Sequence, residues 1–89
     1  MQQIRCMDNN EQLQQKFLIE LGLKIKEIRK DKGYSQSEVA NRCGKERQSY
    51  QRLETGNINP SIWYLQHIAA ALDVELENLF DKKFTKPIL

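Results

Sequence analysis

The chain is 89 residues long, 39% apolar and 29% charged, with a formal net charge of +2. That length supports one small domain with one core, and no apolar run approaches the roughly 20 residues that a membrane span requires. The N-terminal stretch MQQIRCMDNNEQLQQ lacks the apolar core and small-residue cleavage site of a secretory signal, so a cytoplasmic location is expected. Cys6, Cys43 and the single histidine, His67, match no zinc spacing, and two cysteines are too few for a disulfide framework, so neither metal nor cofactor is expected. No nucleophile–base pair is visible either, which argues against an enzyme. The charge is unevenly placed: between residues 21 and 67 nine Lys or Arg face five Asp or Glu, while the rest of the chain holds five against seven. A basic excess confined to one segment points to a polyanionic partner.

Taken in order, residues 1–8 read as a disordered tail in which Cys6 is an exposed thiol of no function. From Asp8 or Asn9 a helical pattern begins, with Leu13, Phe17, Leu21, Ile25 and Ile28 recurring at spacings of four and three. Gly22 weakens its middle by roughly 1 kcal/mol relative to Ala, so the stretch is either one long helix or two pieces meeting there. Lys32-Gly33 ends it with a left-handed glycine cap. Ser35 is an N-cap, and Glu38 three residues later completes a capping box, so a second helix is expected over about 36–43 with Val39, Ala40 and Cys43 facing inward. Cys43 there serves as a small hydrophobe. Gly44 supplies a tight turn into a third helix of about 46–55, which Gly56 ends. Tyr50 and Leu53 are its core residues, and Arg47, Gln48, Gln51 and Arg52 occupy its other faces. Asn59-Pro60-Ser61 stops the chain and caps a fourth helix with Ile62, Leu65, Ile68, Ala69 and Leu72 facing the core. After Asp73-Val74 a short fifth helix of about 75–80 offers Leu76, Leu79 and Phe80, followed by a polar tail ended by Pro87.

Four stretches in this order carry a family resemblance: LGLKIKEIRKDKGYSQSEVA, then RLETG, NPS and IAAALDVELENLF. Together, from Leu21 to Phe80, they resemble the Cro/repressor-type helix-turn-helix family of phage and bacterial regulators. The resemblance implies an all-α, five-helix DNA-binding domain over 21–80, with a helical extension over 1–20 and a tail over 81–89. It places helix two across the DNA backbone and helix three in the major groove. A groove about 12 Å wide admits one helix, and Arg and Gln match the hydrogen-bonding edges of guanine and adenine. The resemblance thus implies base reading by Arg47, Gln48, Gln51 and Arg52. It implies backbone contacts from Gln36, Ser35, Lys45, Ser49, Asn57 and Asn59, with Gln36 bracing a neighbouring base-reading side chain and Ser35 serving first as a cap. Arg29 and Glu54 match a partly buried ion pair joining helix one to the end of helix three. Lys24, Lys26 and Lys30 either reach phosphates or form a solvated face.

Three positions depart from the family pattern. Glu46 replaces the usual Ser or Thr cap of helix three, and marks either a specificity residue accepting from cytosine or weakened binding. Tyr50 replaces an aliphatic core residue, and its hydroxyl needs an outlet at the surface or the DNA. Glu75 stands where a capping serine is frequent. The loop after Gly56 also lacks the basic residue that many relatives carry.

The expected function is a sequence-specific regulator of transcription that binds double-stranded DNA as a homodimer on an inverted repeat, with no membrane or small-molecule partner. Leu76, Leu79, Phe80 and Phe84, with Ile88 and Leu89, are one candidate dimer face, and Phe17 with Leu18 is a second; otherwise both cap the core. No effector domain follows the motif, so control through concentration, partner or proteolysis is expected. The rival from another class is a protein-interaction module built on the same helices.

Overall fold

A computed structural model describes residues 2–80 of the chain, with side chains from residue 11 onward. Helix α1 spans Gln2–Lys32, α2 Gln36–Arg42, α3 Arg47–Glu54 and α4 Ile62–Ala71, and a single 3-10 turn follows at Leu76–Leu79. Among the described residues there is no strand. The side chain of Cys6 lies outside what is described, as do residues 81–89, which include Phe84, Ile88, Leu89 and the expected C-terminal tail.

One expectation about α1 is corrected. Its helical backbone begins at Gln2 rather than near Asp8, because a run rich in good helix formers continues a helix whose later turns are already fixed by packing. Of the two arrangements open at Gly22, the chain takes the single uninterrupted helix. A Cβ on Gly22 would stand 2.3 Å from the Glu54 carbonyl oxygen and 2.6 Å from that of Leu53. The glycine is therefore where α1 lies directly on the C-terminal end of α3, and the absent side chain is what permits that approach.

The core is built from Leu21 and Ile25 of α1, Val39 and Ala40 of α2, Tyr50 and Leu53 of α3, Leu65, Ile68 and Ala69 of α4, and Leu72 and Leu79 beyond it. The expected stripes need trimming at both ends. Leu13 is 63% and Ile62 66% exposed. Each obeys helical spacing but sits at or past the last turn that another element covers. Glu75 provides no side-chain cap, and the fifth helix shortens to the 3-10 turn. Leu79 is fully buried in the core, which removes it from the candidate dimer face, while Leu76 and Phe80 are half-buried. The Phe80 ring stacks on Phe17 with centroids 6.4 Å apart, and Gln15 donates to the Gly56 carbonyl at 3.1 Å. The N-terminal extension thus folds onto the domain body.

All four helices stop in the same manner. The residue after each C-cap takes a left-handed conformation, Gly33, Gly44 and Gly56 at φ of 80°, 68° and 78°, and Asp73 at 62°. The next amide then reaches back to the last turn, as Lys45 N does to Ala40 O at 2.9 Å and Asn57 N to Arg52 O at 2.8 Å. These sharp stops fix the angle between α2 and α3, and hence the direction in which α3 projects.

Candidate nucleic-acid interface

The first half of the site is the entry to α2. Ser35 Oγ accepts from the Glu38 amide at 3.0 Å, and the Glu38 carboxylate accepts from the Ser35 amide at 2.7 Å, so both members of the capping box are engaged. Gln36 follows in the first turn, half-buried. Its side-chain Nε2 points inward and donates to Glu54 Oε1 at 3.0 Å.

Glu54 is the hub of the region. Its carboxylate also accepts from Arg29 Nε at 2.6 Å and Arg29 Nη2 at 3.2 Å, and from the Tyr50 hydroxyl. Both members of the ion pair are buried, with side chains 9% and 2% exposed. Burial pushes the Glu54 carboxyl up, but the hydrogen bonds from Arg29, Tyr50 and Gln36 outweigh it and leave the carboxyl below its ordinary value. Burial, reinforced by the bond to Glu54, pushes the Tyr50 hydroxyl strongly up. The expected outlet of that hydroxyl at the surface or the DNA is thereby corrected. Tyr50 is fully buried, and its partner lies one turn along the same helix.

Helix α3 is the second half. Its buried side is Tyr50, Leu53 and Glu54, and Arg47, Gln48, Gln51 and Arg52 are all exposed. Gln48 and Arg52, four residues apart, lie opposite that buried side. Among the described residues none of these four side chains is held by a hydrogen bond or an ion pair, unlike Arg29 and Arg42. Glu46 occupies the N-cap without a side-chain cap bond, which leaves amides at the start of α3 unsatisfied by the protein.

Beside α3 runs an open groove of about 310 Å³ lined by Lys45, Ser49, Arg52, Ile58, Asn59, Pro60, Ser61 and Tyr64. The Lys45 ammonium sits 5.1 Å from the Tyr64 ring centroid. Tyr64 Oη is buried without a hydrogen-bond partner among the described residues, and burial pushes its pKa up to about 12. The groove therefore gathers Lys45, Ser49 and Asn59 with Arg52. It does not include Asn57, whose side chain donates to Thr55 Oγ1 at 2.9 Å.

Sequence reasoning missed a second polar cluster. The Arg42 guanidinium lies 4.3 Å over the Tyr34 ring, donates to the Ala71 carbonyl at 2.8 Å and approaches Asp73 Oδ2 at 3.6 Å. The Tyr34 hydroxyl donates to the same Asp73 at 2.9 Å. Arg42 belongs to the basic excess but clamps α2 to the end of α4, and no local spacing signals a contact among three such distant residues. Cys43 is half-buried, its thiol pushed up by burial and 3.7 Å from the His67 carbonyl.

With this geometry in hand, comparison with known proteins is specific. A family model described as Helix-turn-helix matches residues 25–79. The transcriptional regulator SinR of Bacillus subtilis is 41% identical over 64 residues, covering 71% of this chain and 58% of SinR. This chain thus spans under two thirds of the length of that relative. Among solved structures, the restriction-modification controller protein C.AhdI of Aeromonas hydrophila superposes with a TM-score of 0.69 at 35% identity, covering 71% of this chain and 96% of that one. A complex of SinR with SinI gives a TM-score of 0.65 at 38% identity, over 76% of this chain and 68% of the other.

Proposed function

This chain belongs to the helix-turn-helix family of transcriptional regulators, and on that premise we propose that it is a sequence-specific DNA-binding regulator acting as a homodimer on an inverted-repeat operator. The observation that carries the reading is the exposed face of α3, where Arg47, Gln48, Gln51 and Arg52 stand without a hydrogen bond to any other described side chain. A helix bearing guanidinium and amide groups on one face, held at a fixed angle by its neighbour, fits the major groove and its donor and acceptor edges. Lys45, Ser49 and Asn59 in the groove beside it are the proposed phosphate contacts. Ser35 and Asn57 are engaged within the protein through both side chain and backbone amide, and are not among the proposed phosphate contacts. The DNA-binding unit is proposed to be residues 21–80, with residues 1–20 its helical extension. Leu76, Phe80 and the adjoining Phe17 form the proposed dimer face.

A second reading, a module that holds a protein partner, is favoured by one observation: Ile62 and Trp63 at the start of α4 are 66% and 68% exposed. Selection of bound duplexes from a random pool at near-physiological salt separates the two. Enrichment of an inverted repeat whose half-sites lie about 34 Å apart is the expected result. No enrichment would overturn the regulator reading and turn attention to the Trp63 surface. Among the described residues no helix is long and apolar enough to cross a membrane.

A further inference from the structure

Gln36 and Glu54 come from different elements, α2 and the end of α3, and meet only through the fold. Gln36 Nε2 donates to Glu54 Oε1 at 3.0 Å, and Glu54 is 4% exposed. A side-chain amide has a donor end and an acceptor end of nearly the same shape, so its orientation is decided by what it faces. A carboxylate that Arg29 holds through two hydrogen bonds stays ionised, and an ionised carboxylate only accepts. Turned the other way, Gln36 would set its carbonyl oxygen against a carboxylate oxygen with no proton between them.

We propose that Glu54 is a positioning residue for DNA recognition, its buried carboxylate holding the Gln36 amide with nitrogen inward and the carbonyl end turned outward at the start of α2. The proposal rests on the DNA-binding reading above. The outward carbonyl is an acceptor, so it braces a base-reading guanidinium or amide of α3 rather than meeting a phosphate, which offers no proton. The ion pair then acts beyond stability, because Arg29 keeps Glu54 charged, Glu54 fixes Gln36, and Gln36 presents that acceptor in a single orientation. An amide fixed before binding loses less freedom on contact than one that must choose between two orientations.

The test is a double-mutant cycle in the full chain, using a duplex selected by the wild type, with variants Gln36→Ala, Glu54→Gln and the pair together. Glu54→Gln preserves the size of the side chain and an acceptor for Arg29, but a second amide no longer dictates which end Gln36 turns inward. Each single change is expected to weaken binding by roughly tenfold, and the double variant to bind no more weakly than Gln36→Ala alone. A purely structural Glu54 would instead give losses that multiply, and that result overturns the proposal. Should Glu54→Gln fail to fold, Glu54→Asp retains the charge for Arg29 while withdrawing the carboxylate from Gln36, and enters the same cycle. Nitrogen-15 spectra of the DNA-free protein add a readout that stability does not move. The Gln36 side-chain amide protons should exchange slowly in the wild type and at a solvent-like rate in the Glu54 variant. Solvent-like exchange in the wild type would remove the tether. If the wild type selects no duplex the regulator reading itself falls, an outcome distinct from a wild type that binds while the two losses multiply.

Discussion

Arg29 and Glu54 show how a single pair of residues can tie three helices together. A buried ion pair returns little net stability relative to an apolar pair, but removal of one member leaves the other charged and unpaired in the interior. Arg29→Ala is therefore expected to destabilise the fold by about 3–5 kcal/mol, read as a lowered midpoint in urea. The same carboxylate sets an acid limit. The folded Glu54 resists protonation more than the unfolded chain does, since its carboxyl lies below the ordinary 4.5. Its contribution is thus complete above pH 4.5 and is lost as pH falls through the lower folded value. Urea midpoints measured from pH 7 down to 3 should decline below about 4.5, and a Glu54→Gln variant should show a shallower decline. An identical decline in the variant would assign the acid sensitivity to other carboxylates.

At the scale of the element, Gly22 and Glu46 separate local preference from tertiary demand. Helix propensity alone makes Gly22→Ala stabilising by about 1 kcal/mol. The new Cβ would instead meet the backbone carbonyls of Leu53 and Glu54 at 2.6 and 2.3 Å, and backbone cannot swing aside as a side chain can. Overpacking of this kind costs about 1–3 kcal/mol, so Gly22→Ala should lower the melting temperature, and a raised one would contradict the close approach of α1 to α3. Glu46 presents the opposite case, a local defect that nothing else repairs. Glu46→Ser supplies the missing cap of α3 and should raise stability by about 1 kcal/mol. It should also tighten duplex binding by removing a negative charge where the proposed interface begins. A variant that is more stable but binds more weakly would show that Glu46 itself reads a base.

At the scale of the whole molecule, the chain has a modest net charge of +2, and part of its basic side is spent internally on Arg29 and Arg42. The cations left near α3 are Lys45, Arg47 and Arg52. Few phosphate contacts per protomer imply a shallow dependence of affinity on salt, since each releases about one counterion. Anisotropy titrations between about 50 and 200 mM salt should give a measurable but modest slope, reduced by about one on Lys45→Ala. Arg47→Ala should instead relax preference at one position of each half-site. A slope near zero would count against phosphate contact altogether.

The sequence by itself determined the helices and their order, because periodicity, caps and turn glycines act within a few residues. Ser35 with Glu38, Ser61, and Gly33, Gly44 and Gly56 each declare a boundary without reference to the rest of the chain. It also displayed the polar face of α3, since a helix that buries only Tyr50, Leu53 and Glu54 must turn its Arg and Gln residues elsewhere. Only the tertiary structure decided which polar groups remain for a partner. Gln36 turns to Glu54, the Tyr50 hydroxyl joins the same carboxylate, and Arg42 closes over Tyr34 and Asp73. These partners lie 4 to 39 positions apart in the chain. Most meet because α1, α2, α3 and α4 pack around one core, and packing of that range leaves no periodic mark in the sequence.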